Sequence, residues 1–401
     1  MRQIQFIVLA FGLSFTNVFS QHNSHILFNT DFEGGNLGTV EELSTAHYRI
    51  HLTGEADWQK RNRQVSWYYF QINGARNQEL TLELTDLVGE YNFQPGAHAI
   101  TEYTPPVYSY DQQHWMHFSD EQVSWREEEK ELILKITPDK NQIWIAHQPP
   151  YTSQNLIQFL SQHPENVNFM MDTIGMTMQH RPMLLLSIGS PEYQSKKVIW
   201  LMARQHAWES GTSWVMQSLL SYLLDSAAGQ SLQKDFTFKI FPMADPDGVA
   251  RGGVRFNQFG HDLNRNWDLV NAKEMPEISM QKSAIQAWLK RGHKIDFFLT
   301  LHNTESSDYI QGPSLESGKS VWKNMVTNSS FEAPEGLREI RPSVDPGRMT
   351  VYENLWSEFG IPAYLMELKV EKVNKLGRHR EIQDWLDLGP AIVRAIVSGI
   401  K

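Results

Sequence analysis

Val198-Ile-Trp-Leu-Met-Ala203 runs into Arg204-Gln-His-Ala-Trp-Glu209, and a helical candidate follows from about Ser210 to Asp225. A short apolar run that ends in polar residues and gives way to a helical stretch is the opening of a strand–helix unit. The alternation continues downstream. Phe236-Thr-Phe-Lys-Ile-Phe241 precedes a long polar loop, and Glu277 to Lys290 places Ile278, Ile285, Trp288 and Leu289 on one helix face. Ile295-Asp-Phe-Phe-Leu-Thr-Leu301 and Ala363-Tyr-Leu-Met366 read as further strands, and Pro390 to Ile400 as a closing helix. Residues 312–347 read as irregular loops near a site. Strand alternating with helix implies an α/β layer on a largely parallel or mixed sheet.

Upstream the texture differs. Glu79-Leu-Thr-Leu-Glu-Leu-Thr85 alternates with period two, as a half-buried strand does. Gln64-Val-Ser-Trp-Tyr-Tyr-Phe-Gln-Ile72, Glu131-Leu-Ile-Leu-Lys-Ile136 and Gln142-Ile-Trp-Ile-Ala146 continue the strand pattern, separated by turn-rich pieces such as Gln94-Pro-Gly96. Short strands at this spacing suggest an antiparallel sandwich. Pro149-Pro150 is a natural boundary. The expected fold is therefore an N-terminal antiparallel β-sandwich domain over residues 21–150, followed by a mixed-sheet α/β domain over 151–401.

Residues 1–20 stand outside that fold. Met1-Arg2, an apolar stretch from Ile4 to Phe15 and Val18-Phe19-Ser20 read as a signal peptide cleaved before Gln21. An N-terminal strand or a membrane anchor is the alternative, but the stretch is short for a span. The expected location is periplasmic or secreted, from a bacterium.

The chain of 401 residues has room for two domains, and 41% hydrophobic with 20% charged residues excludes wholly disordered and fibrous classes. A formal net charge of −10 argues against general nucleic-acid binding, which needs a basic face. The absence of cysteine removes disulfides, thiolate zinc sites, iron–sulfur clusters and cysteine nucleophiles. Any transition metal must be held by imidazole and carboxylate, and 15 histidines are available.

Polar residues of catalytic type follow directly on strands. His206 and Glu209 follow Ala203, His302 follows Leu301, and Glu367 follows Met366. In open α/β sheets ligands bind beyond the carboxyl ends of the strands, so these groups could converge. His206 and Glu209 have the i, i+3 spacing that brings two side chains to one face of a helical turn. With His302 they would make a set of two histidines and one glutamate, which leaves zinc an open position for water. Taken alone, a histidine such as His302 is more often a hydrogen-bonded core residue than a ligand. Asn264 and Arg265 offer a fork of donors suited to a carboxylate. The bland alternative for that pair is an Asx turn beside a surface arginine.

Taken in order, Ala203-Arg-Gln-His-Ala-Trp-Glu209, Asp245-Pro-Asp-Gly248, Asp262-Leu-Asn-Arg-Asn-Trp267, Leu301-His302 and Tyr364-Leu-Met-Glu367 resemble zinc metallocarboxypeptidases of the M14 type. The likeness is greatest to their cytosolic-carboxypeptidase-like branch, in a bacterial, exported form. Asp31-Phe-Glu-Gly-Gly-Asn-Leu37, Trp67-Tyr-Tyr-Phe70, Pro106-Val-Tyr-Ser109 and Pro149-Pro-Tyr-Thr152 look like the β-sandwich domain of that branch. The resemblance implies one Zn²⁺ held by His206, Glu209 and His302. It implies Glu367 as the general base and Arg255 as the group that polarises the scissile carbonyl. Asn264 and Arg265 would clamp the substrate's terminal carboxylate, making the enzyme an exopeptidase. Pro346-Gly-Arg348-Met-Thr-Val351 resembles the segment whose arginine lies near an acidic substrate side chain, and an exposed loop arginine is the alternative for Arg348. A buried strand-end carboxylate paired with an arginine or a lysine, such as Lys369, is the alternative for Glu367.

Two departures stand out. Ala207-Trp208 replaces the usual Pro-Gly between the first two ligands, and Trp208 is expected to add bulk that narrows the cleft. Leu301-His302-Asn303-Thr304 replaces the usual His-Gly or His-Ser context. The expected activity is zinc-dependent removal of C-terminal residues from peptides or proteins. The competing readings are a zinc amidase or deacylase on small N-acyl amino acids, and a catalytically silent binding protein. The oligomeric state is left open.

Overall fold

The computed structural model describes residues 26–97, 99–189 and 196–400. The expected signal peptide at residues 1–20 lies outside them. Among the described residues no helix is long and apolar enough to cross a membrane.

The N-terminal half holds two five-stranded sheets and a small four-stranded one. Strand Leu80–Thr85 buries Leu80, Leu82 and Leu84 completely, as its period-two alternation requires. Across the ladder Leu82 faces Leu134 and Leu84 faces Leu132, while the other sheet contributes Phe70, Ile72, Ile143 and Ile145 to the same core. Pairing is antiparallel throughout the two larger sheets except between His47–His51 and Leu80–Thr85, which run parallel. The aromatic run from Gln64 to Ile72 is not one strand. Arg63–Gln64 joins the small sheet and Tyr69–Asn73 a larger one, with the buried residues Val65 to Tyr68 crossing between them.

The C-terminal half is built on an eight-stranded mixed sheet. In spatial order its strands are Phe169–Met176, Pro182–Ile188, Phe236–Phe241, Lys197–Ala203, Phe297–Thr304, Ala363–Lys369, Tyr309–Gly312 and Leu337–Glu339. The central four run parallel and the flanking pairings are mostly antiparallel. Central strands buried on both faces read as continuous apolar runs, and that made them legible in the sequence.

Several expectations are corrected. Residues 312–347 are not simply irregular, because they contain helix Glu316–Asn328 and strand Leu337–Glu339. The closing helix spans Ile382–Ile400 with Pro390 inside it. Its neighbour Gly389 explains how closely it packs. A Cβ there would lie 2.1 Å from Ser218 Oγ and 2.5 Å from Leu219 N, so the helix lies directly against Ser210–Asp225. His302 and Glu367 also sit inside their strands, not beyond them, and face each other in register across the parallel ladder.

Candidate active site

The His206–Glu209 turn is shaped by Arg204. That residue takes a left-handed backbone at φ 63°, and its buried guanidinium donates to the Ala207 carbonyl at 2.9 and 2.7 Å. It also donates to Tyr151 O and Ser213 Oγ, each at 3.0 Å. Burial lowers the Arg204 guanidinium to about 10, still charged at neutral pH. The turn ends at Glu209, which caps the helix Ser210–Asp225 and accepts the Thr212 N–H on its carbonyl.

This places three donors together. Among the described residues, His206, Glu209 and His302 form a buried group whose ligand atoms all lie within 4.8 Å of one another. Glu209 Oε1 is 2.7 Å from His206 Nδ1, and Glu209 Oε2 is 3.0 Å from His302 Nδ1. Burial alone would raise the Glu209 carboxyl, but the two histidine charges outweigh it and hold it low. The far ring nitrogens are both anchored. His206 Nε2 faces Asp262 Oδ1 at 3.0 Å, and His302 Nε2 faces Gln205 Oε1 and Thr300 Oγ1, each at 3.1 Å. A bound cation would displace the Nδ1 protons, and with Nε2–H donated outward on each ring both Nδ1 lone pairs would then face the shared centre. Two imidazoles and one carboxylate in a buried, pre-oriented set fit a zinc ion.

Asp262 was quoted in the sequence motif without a role, and the structure supplies one. Its Oδ1 meets His206, while Oδ2 receives Arg255 Nε and Nη2, each at 2.8 Å. The Arg255 charge, together with those of His206 and Arg265, overcomes burial and holds its carboxyl well below the usual range. Asp262→Asn is expected to weaken zinc affinity by about 10- to 100-fold, a typical cost of losing an outer-shell carboxylate. Competition with a calibrated chelator measures this, and unchanged affinity would refute the role.

Glu367 is half-buried, and its Oε2 is buried without a hydrogen-bond partner among the described residues. Its Oε1 is 3.5 Å from the Tyr309 hydroxyl, a contact sequence reading missed because Tyr309 lies on another strand. Burial and then the neighbouring Glu209 and Glu305 charges push the Glu367 carboxyl well above its ordinary range. The suggested pairing with Lys369 is not made, because Lys369 Nζ bonds Glu332 at 2.8 Å.

Arg255, Arg265 and Arg348 line one cleft of 410 Å³ with Asp262. Its other wall belongs to the N-terminal half, from Asp57, Trp58, Arg61 and Tyr91. Arg348 is thus brought to the same cleft as the other arginines. Asn264 is different. It is buried, accepts the Val351 N–H on Oδ1 at 3.1 Å, and places Nδ2 3.5 Å from His302 Nε2. Arg265 donates Nη1 to the Asn264 carbonyl at 2.8 Å. Trp208 does not line the cleft. It is buried against His147 at 6.0 Å between ring centroids, and its N–H donates to Val254 O at 3.0 Å. The bulk expected to narrow the cleft is packed instead in the core, against His147 of the N-terminal half.

A mixed sheet thus carries a convergent His–Glu–His donor set beside an arginine-lined cleft. The zinc carboxypeptidase family model matches residues 153–311, and that of the cytosolic carboxypeptidase N-terminal domain matches residues 28–147. Residues 153–311 thus belong with the zinc carboxypeptidase family, and residues 28–147 with the N-terminal domain of cytosolic carboxypeptidases. Cytosolic carboxypeptidase 1 of Mus musculus is 26% identical over 352 residues, covering 77% of this chain and 28% of that protein. Cytosolic carboxypeptidase 6 of Caenorhabditis elegans is 29% identical over 275 residues, covering 65% of this chain and 58% of that one. The chain therefore spans only part of these relatives' length. The crystal structure of a metallo-carboxypeptidase from Burkholderia cenocepacia shares the fold, with a TM-score of 0.79 at 21% identity over 94% of this chain and 98% of that one.

Proposed function

We propose that the protein is a zinc-dependent carboxypeptidase that removes single residues from the free C-terminus of peptides or proteins, with a preference for acidic endings. One observation carries the reading: the buried His206, Glu209 and His302 donors converge in the same site as Glu367, whose Oε2 has no hydrogen-bond partner among the described residues. Zinc held by that trio would supply Lewis-acid polarisation and a water of lowered pKa. The remaining work falls to the chain's own residues. Glu367 Oε2 takes the proton from the attacking water and returns it to the leaving amine nitrogen. Arg255, with Nε and Nη2 held by Asp262, presents fixed positive charge to the developing oxyanion. Arg265 attracts the terminal carboxylate, with Asn264 behind it, and Arg348 in the same cleft suits an acidic side chain by charge-assisted bonding. Residues 1–20 support export, so the substrates would be periplasmic or extracellular peptides.

Incubating purified protein with peptides ending in Glu, Leu or Lys, and with C-terminally amidated partners, tests this by mass. Loss of one residue from the free acids only, abolished by a chelator and restored by zinc, is the expected result, with Glu-ended peptides cut fastest. Release from N-acyl amino acids alone, with every peptide left intact, would favour the deacylase reading. A zinc-loaded protein that releases nothing from any of these would refute hydrolysis.

A further inference from the structure

The segment from Arg251 to Asp262 carries Arg255 and has almost no regular structure, only an isolated bridge between Phe256 and Asp262. Its backbone polar groups must find partners elsewhere. The N-terminal half supplies them. Gly34 N–H reaches the carbonyl of Ala250 at 3.0 Å, Asn36 Nδ2 that of Gly252 at 2.6 Å, and Trp58 N–H that of Gly260 at 3.0 Å. At Gly252, φ 67°, a Cβ would lie 2.3 Å from the Gly35 carbonyl oxygen, so the two backbones touch.

Glu55 sits at the middle of this strap. Its Oε2 accepts the successive N–H groups of Val254, Arg255 and Phe256 at 3.1, 2.6 and 2.7 Å. Its Oε1 accepts Arg251 Nη2 at 2.9 Å. Consecutive N–H groups aimed at one carboxylate oxygen make an anion-binding concavity, and bonds to an ionised acceptor are roughly twice as strong as neutral ones. These bonds fix the peptide planes on either side of the Arg255 Cα. From there the guanidinium reaches Asp262 and so His206, while the Val254 carbonyl accepts the N–H of Trp208, next to Glu209.

We propose that Glu55 is a positioning residue for the reaction: by gripping the backbone of residues 254–256 it aims Arg255, which makes the N-terminal half part of the catalytic apparatus. The proposal rests on the carboxypeptidase reading above. A pocket-side residue would change substrate affinity. Glu55 is not among the described residues lining the cleft, and it bonds the backbone of residues 254–256 and Arg251. Its loss should therefore appear in kcat and leave KM alone.

The test is Glu55→Gln in the full-length, zinc-loaded protein, assayed on a peptide the parent cleaves, alongside Arg255→Ala and the double variant. The amide keeps the shape but loses the charge that three N–H groups and Arg251 share. The expected result is a kcat lower by about 10- to 100-fold, with KM within about twofold and zinc content unchanged. In the Arg255→Ala background the same change should cost under about twofold, because Glu55 acts through that arginine. A kcat that stays at the parent value, or losses that multiply in the double variant, would overturn the proposal. Should Glu55→Gln fail to fold, Glu55→Asp, which keeps the charge and withdraws the oxygen, is put through the same cycle. Hydrogen exchange at residues 254–256 gives a readout that needs no activity. Faster exchange in the variant is expected, and unchanged exchange would overturn the strap itself. A parent without turnover would refute the carboxypeptidase reading separately.

Discussion

Glu367→Gln is expected to lower peptide-bond hydrolysis by about 10²- to 10⁴-fold, the usual contribution of a placed general base. Zinc content and KM should stay at parent values, because Glu367 is outside the His206–Glu209–His302 donor group. Glutamine preserves the shape and the Tyr309 contact but cannot take a proton at Oε2. The raised carboxyl of Glu367 follows from burial and from Glu209 and Glu305 nearby, and a cation on the neighbouring trio opposes that shift. Single-turnover assays with matched zinc stoichiometry measure the loss. A variant retaining more than about a tenth of parental kcat would contradict a loss of that size and direct attention to Glu305, the other carboxylate close by.

Asp308→Ala is expected to destabilise the protein by about 3–5 kcal/mol, the cost of leaving a buried charge without its partner. Asp308 and Arg380 side chains are both 0% exposed and meet in two bonds, Nη1 to Oδ1 at 3.2 Å and Nη2 to Oδ2 at 2.7 Å. Asp308 also accepts the backbone N–H groups of Lys369 at 2.7 Å and Glu332 at 2.8 Å. Truncation therefore strands one buried cation and leaves two backbone donors, the buried one of Lys369 and the part-buried one of Glu332, without that acceptor. The charge explains most of the effect, and a double variant with Arg380→Met should recover part of it. The two N–H groups would still lack an acceptor, so recovery should be incomplete. Equilibrium denaturation in urea measures both. A loss under about 1 kcal/mol for Asp308→Ala would show that water reaches the pair.

What could be read in the sequence was local. The helix Ser210–Asp225 and the strands Phe236–Phe241, Glu131–Ile136 and Gln142–Ala146 follow from periodicity and apolar runs, properties of neighbouring residues. The order of His206, Glu209, His302 and Glu367 along the chain was equally visible, because motif spacing survives in one dimension. Pro390 inside a helix was not, since its local signal is for a helix start, and packing of Gly389 on Ser218 overrides it.

Only the tertiary structure could decide relations between distant residues. Glu55 meets the Arg255 backbone from 200 positions away, and no local pattern marks an acidic residue in a two-residue strand for that work. Tyr309 and Glu367 come together only because their strands pair antiparallel, and Asp262 serves His206 only once the polar loop folds back over the strand ends. Trp208, expected to narrow the cleft, is buried instead, with its ring 6.0 Å from that of His147 in the N-terminal half. The sequence by itself marked the strongly periodic elements and the order of the candidate donors along the chain. The tertiary structure decided which carboxylates and arginines support them, because long-range electrostatics and burial depend on distance in space, which spacing along the chain does not encode.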